Sequence, residues 1–123
     1  MKDKHIYESV TVDMDAIESL RHILREDFSA VMDSYAKNTR RYLSLIELAL
    51  AENDRVSLIM SAHKLASSSG QVGFMKLSEI SREIEMQAGH ASASDIMRYY
   101  IKAEKTFQEA LKILQSIQGQ GNG

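Results

Sequence analysis

No proline occurs in the 123 residues, and glycine appears only six times. Gly119, Gly121 and Gly123 sit at the C-terminal end, so before Gln118 only Gly70, Gly73 and Gly89 interrupt the chain. An all-β domain needs a turn about every 8–12 residues, built with Gly, Pro or Asn chemistry. That punctuation is missing, while Leu, Ala, Glu, Lys, Met and Gln, all strong helix formers, are abundant. The chain is therefore constrained toward a few long helices.

Hydrophobic spacing agrees. Ile96, Tyr100, Ala103, Phe107, Ala110, Leu114 and Ile117 alternate steps of four and three, the seam of a bundle helix. Phe28, Val31, Tyr35, Tyr42, Leu45 and Ala49 make a second stripe with Met32 and Ile46 beside it, broken by the polar Asn38 or Thr39. Ile17, Leu20 and Leu24 form a short stripe before it. Leu58, Ala62, Leu65 and Ser69 form another, and Phe74, Leu77, Ile80 or Ser81, and Ile84 form the last.

Capping residues suggest the ends. Asp13 or Asp15 can start the first helix, Asp27 or Ser29 the second, Asp54 the third, and Ser92 or Ser94 the fifth, with Asp95 well placed in its first turn. Gly70 to Gly73 separate the third from the fourth, and Gly89 suits the C′ position after the fourth. The expected helices are a short one over 13–25 and longer ones over 27–52, 54–69, 74–88 and 94–117. Short connections make neighbours antiparallel. The expectation is an all-α, up-down four-helix bundle with an additional short N-terminal helix. One domain over 13–118 would follow an N-terminal segment (1–12) and precede a flexible Gly-rich tail (119–123).

Composition narrows the function classes. Cysteine is absent, which excludes disulfide scaffolds and zinc–thiolate sites. The net charge of −2 opposes nucleic-acid binding, which needs a basic field. The longest apolar run is four residues, Leu48 to Ala51, too short to cross a bilayer. Met1-Lys2-Asp3-Lys4-His5 leads into no apolar signal-peptide core. The expectation is a chain with no nucleic-acid or membrane partner.

Local catalytic motifs are missing too. No Glu is followed by His three residues on, as a di-metal bundle needs, and Glu18 with His22 has no partner motif. There is no His-Glu-x-x-His, no phosphate-cradling Gly-rich loop and no Gly-x-Ser-x-Gly. No metal site is expected.

One segment stands out: Ala62-His63-Lys64-Leu65-Ala66-Ser67-Ser68-Ser69-Gly70-Gln71-Val72-Gly73-Phe74. At about 100° per residue, His63 lies roughly 130° from the centre of the Leu58/Ala62/Leu65/Ser69 stripe and faces solvent. Its neighbours on that face are Ile59 and Met60 before it and the small Ala66, Ser67 and Gly70 after it. A helix face is normally covered by long charged side chains, whereas here the surface beside the imidazole is stripped. A partner's active-site rim could approach closely. Neutral imidazole is a nucleophile at physiological pH, and a phosphoryl electrophile and its metal could both come from that partner. Lys64 could reach a phosphate, and the hydroxyls of Ser67 and Ser68 could donate to it.

The segment resembles the signature of histidine-containing phosphotransfer (HPt) domains of two-component phosphorelays, H-x-L-K-G-x-x-x-x-x-G. His63 falls on the phosphoacceptor, Leu65 on the core leucine and Gly73 on the distal glycine. Gly70, Val72 and Ala62 suit the same stretch, and Leu77 and Glu85 resemble the family's later leucine and glutamate. The resemblance spans about 13–117. Two positions depart from it: Ala66 replaces a lysine and Ser67 replaces a glycine.

The resemblance implies reversible phosphoryl transfer between His63 and a receiver-domain aspartate. The implied partners are response-regulator receivers and a hybrid sensor histidine kinase, with Mg²⁺ held by the receiver and no cofactor bound by this chain. Such a chain is expected to be a monomeric, cytoplasmic phosphocarrier rather than an autonomous enzyme. Lys64, Ser67 and Gly70 are then the expected phosphate neighbours, and Ile59, Met60 and Ala66 the docking surface. The alternative is a helical adaptor that docks receivers or kinases without carrying phosphate. His5, His22 and His90 have no such context. Lys37, Arg40 and Arg41 read as a solvated face that could meet an acidic receiver rim, and Met14, Met32 and Met86 as core filler.

Overall fold

The Asp13 carboxylate accepts a hydrogen bond from the Ala16 amide (3.2 Å), satisfying one of the donors that a first helical turn leaves open. The helix it starts, α1, spans Met14–Leu24. The structure is a computed structural model that describes the backbone of residues 11–121 and side chains through Gln118. The expectations for residues 1–10, His5 included, and for 122–123 lie outside the described residues.

A one-turn 3-10 segment, Arg25–Asp27, leads into α2, Phe28–Glu52. Asp27 makes no side-chain cap because its own backbone is already helical. Asn53, in the left-handed region at φ 54, ends α2. The Asp54 carboxylate then accepts from the hydroxyl and amide of Ser57 (2.7 and 3.1 Å) and opens α3, Arg55–Val72. Those bonds favour the ionised carboxylate and hold the Asp54 carboxyl below its ordinary value. Helix α4 spans Met75–Gln87 and α5 spans Ala93–Gly121, where the Ser92 hydroxyl accepts from the Asp95 amide (3.1 Å).

Three ends differ from expectation. Helix α3 continues through Gly70 to Val72 and stops at Gly73, whose φ of 90° suits glycine alone. The Phe74 amide donates back to the Ser69 carbonyl (2.9 Å) with the Phe74 ring buried, a Schellman-type close. Gly89 has no positive φ and is not the expected left-handed cap; Arg55 instead organises that turn, donating to the carbonyls of Ala88 and Ala91 at 3.1 and 3.0 Å. Helix α5 runs past residue 117 to Gly121, so the expected tail begins as helix.

Helices α2 to α5 form a ring in which each packs on the next and α5 returns to α2. Cross-contacts show the neighbours antiparallel: Tyr35 meets Ser69, His63 meets Glu85, Gly70 meets Ser78, and the Gln118 amide donates to Ser29 and Asp33. α1 lies across one end. The Asp13 amide donates to the Gly73 carbonyl (2.7 Å) and the Arg21 guanidinium to the Ile117 carbonyl (2.7 Å), also stacking over Phe28.

The expected stripes of α3, α4 and α5 are buried as read from sequence. The α2 stripe is turned by about one residue. Met32, Thr39 and Ile46 enter the core, while Val31 and Leu45 face solvent. Met14 and Met86 are also exposed, so of the three methionines expected as core filler only Met32 is one. No described helix is long and apolar enough to cross a membrane.

Candidate functional site

The site is built where α3 and α4 touch. Ala62 and Ala66 are buried on the α3 side, and a Cβ added at Gly70 would come within 3.2 Å of the Ser78 hydroxyl. These small residues let the helices approach until the buried Ser78 hydroxyl donates to the Ala66 carbonyl at 2.7 Å. Such a bond contributes about 1 kcal/mol net. From that fixed point α4 runs antiparallel to α3 and delivers Glu85 to His63.

His63 is 64% exposed, and its Nδ1 lies 3.0 Å from Glu85 Oε2, a carboxylate itself 31% exposed. A carboxylate only accepts, so the pairing assigns the ring proton to Nδ1. The lone pair then sits on Nε2 at the opposite edge of the ring. The Glu85–His63 contact joins residues 22 apart in sequence.

A polar pair in the core braces α3 from beneath. The Tyr35 hydroxyl and Ser69 Oγ are 2.7 Å apart, and the Tyr35 ring meets Phe74 edge-on with centroids 4.8 Å apart. Burial pushes the Tyr35 phenol up to about 12, although the Ser69 bond and nearby Thr39 pull the other way. Tyr35 thus ties α2 to α3 as a neutral phenol.

The residues singled out from sequence divide into three groups. Ile59 and Met60 are exposed beside His63, and Val56, 68% exposed, extends that apolar strip by a further turn. Lys64 and Ser67 are exposed, with Lys64 about 100° round the helix from His63, on the side away from α4. Ala66 and Gly70 belong elsewhere. Ala66 is only 3% exposed, since α4 packs on that flank of α3, so its expected place on the docking surface is corrected. Gly70, two turns from His63, lies against Ser78 and permits the close approach of α4.

Sequence reasoning passed over Arg82. It is exposed, one turn before Glu85 on α4, and makes no hydrogen bond or ion pair with another described residue. Its only sequence signal is the three-residue step to Glu85.

No group of three or more His, Asp or Glu able to hold a metal ion occurs among the described residues. Lys37, Arg40 and Arg41 are exposed on α2, and Arg40 lies over the Phe107 ring at 5.6 Å, beside a cleft of about 190 Å³ between α2 and α5. That cleft is on the side of the ring opposite the α3–α4 joint.

Comparison with known proteins covers most of the chain. A family model described as the Hpt domain matches residues 30–119. The crystal structure of histidine-containing phosphotransfer protein B from Pseudomonas aeruginosa PAO1 superposes with a TM-score of 0.85 at 17% identity, covering 92% of this chain and 98% of that one. No curated protein sequence matches.

Proposed function

The chain belongs to the Hpt domain family, and on that premise we propose that His63 is the phosphoryl acceptor of a two-component phosphorelay. It takes the group from an aspartyl phosphate on a receiver domain, or from a histidine kinase, and passes it to a response-regulator receiver. The observation that carries this reading is the His63 Nδ1–Glu85 contact, which leaves Nε2 as the unprotonated nitrogen of a ring that is 64% exposed.

The chemistry balances as follows. The Nε2 lone pair attacks phosphorus, the bond from phosphorus to the aspartyl oxygen breaks, and the aspartate leaves as a carboxylate. The ring, still protonated on Nδ1, becomes a phospho-imidazolium facing the Glu85 carboxylate. Attack by a second receiver's aspartate reverses the step. The equatorial charge is neutralised mainly by the Mg²⁺ that the receiver holds, so this chain supplies the nucleophile, its tautomer and a landing surface.

That surface is the strip Val56, Ile59 and Met60 leading to His63. Exposed side chains of this size, next to small Ser67, give a receiver an apolar contact and an unobstructed approach. Lys64 lies at its edge, placed to meet an acidic rim. The chain acts as a cytoplasmic monomer and phosphocarrier, with no cofactor of its own.

Incubation with a radiolabelled phospho-receiver tests this. Acid-labile, base-stable label on wild type, and none on His63→Gln, is the expected result. Receiver binding by both proteins with label on neither would replace the relay with a docking adaptor.

A further inference from the structure

We propose that Arg82 binds the phosphoryl group on His63, supplying from α4 the positive charge that the α3 surface around the ring lacks. This rests on His63 being the acceptor. A phosphoryl group on Nε2 brings about two negative charges to the outer edge of the ring, while the single positive charge of the imidazolium is shared with the Glu85 carboxylate at Nδ1. The phosphoryl oxygens therefore gain from a second cation on their own side of the ring.

The cations available are few. On α3, the position one turn after His63 on the α4 flank is the buried Ala66, and Lys64 is about 100° round the helix from His63, on the side away from α4. Arg82 is differently placed. On α4 it lies about 60° from Glu85, on the solvent side, whereas Ser78, which meets Gly70, lies only about 20° from Glu85. Glu85 therefore faces α3, and Arg82 lines the outer edge of the same groove. The antiparallel contacts His63–Glu85 and Gly70–Ser78 put Arg82 level with Ala66, about one turn from the ring. With only the methyl group of Ala66 at that level, no long side chain of α3 separates guanidinium from imidazole.

Arg82 also has no competing partner among the described residues, so its guanidinium fork is free for two phosphoryl oxygens. Loss of the phosphoryl group passes through a loose, metaphosphate-like state with less charge on those oxygens. A cation that grips the ground state more strongly than this transition state slows spontaneous loss. Arg82 thus prolongs the life of the phosphorylated form between partners.

The test needs no partner protein. Phosphoramidate donates a phosphoryl group to Nε2 with ammonia leaving. The expected result is a shift of the Arg82 Nε–H resonance on phosphorylation of wild type, identified by its loss in Arg82→Lys. Phosphohistidine decay should be about two- to fivefold faster in Arg82→Gln, the scale of an exposed ion pair. Arg82→Lys should be intermediate and Lys64→Gln unchanged. An unmoved Arg82 resonance, or faster decay in Lys64→Gln and not in Arg82→Gln, would overturn the proposal. Wild type that takes up no phosphoryl group at His63 would overturn the acceptor reading itself, and Arg82 with it.

Discussion

Glu85 Oε2 stands 3.0 Å from His63 Nδ1, and this contact between α3 and α4 orients the ring. Its removal should slow transfer without removing the acceptor. Glu85→Ala is expected to lower the rate of phosphorylation by about tenfold or more, the scale seen when a group orienting a histidine ring is lost. Stopped-flow or quenched-flow transfer from a phospho-receiver measures this. Unchanged kinetics would mean that the contact does not prepare Nε2.

The apolar strip makes a separable prediction. Met60 is 54% exposed, so Met60→Glu should change stability by no more than about 0.5 kcal/mol. The same substitution should weaken receiver binding, read as a raised KM with little change in the maximal rate. An unaffected KM would move the landing surface away from this strip.

Tyr35 and Ser69 predict a pH effect on stability. The folded-state phenol is raised to about 12 from its ordinary value of 10.0. Its neutral form is therefore favoured by folding, and the stability it brings is present below pH 10 and lost as pH rises toward 12. Tyr35→Phe should flatten that alkaline decline. At neutral pH it should cost about 1–2 kcal/mol by leaving the Ser69 hydroxyl buried without its partner. Denaturant melts from pH 7 upward check both.

Gly73 fixes α1. A Cβ there would lie 3.0 Å from the Ala16 Cβ and 3.2 Å from the Asp13 carbonyl, at a φ that side chains rarely adopt. Gly73→Ala is expected to destabilise the fold by about 1–3 kcal/mol and to speed amide exchange in α1 before the rest of the bundle. Equal protection of α1 in both proteins would show that this close approach is dispensable.

Much of the architecture was legible because long helices need little punctuation. The missing prolines and three internal glycines left no other economical reading, and the α5 stripe is buried as its spacing implied. The α2 register was less legible because apolar residues occupy two adjacent stripes. Thr39, polar by type, decided the question by entering the core near Tyr35. The exposure of His63 followed from helix phase alone. The environment of His63 did not, because the position of α4 is a tertiary fact. Phase puts Ala66 near His63, but only the packing of α4 shows that this flank is buried. The pairing of Glu85 with His63 and the placing of Arg82 depend on the same antiparallel register, set by Gly70 against Ser78.

The central claim is that Nε2 of His63 carries the phosphoryl group while Nδ1 keeps its proton. Long-range proton–nitrogen NMR of the histidine rings, before and after phosphorylation by a receiver, reads this directly. The expected spectra show His63 protonated on Nδ1 in the free protein and phosphorylated on Nε2 afterwards, with His22 and His90 unchanged. Phosphorylation on Nδ1 of His63, or on another residue, would contradict the account.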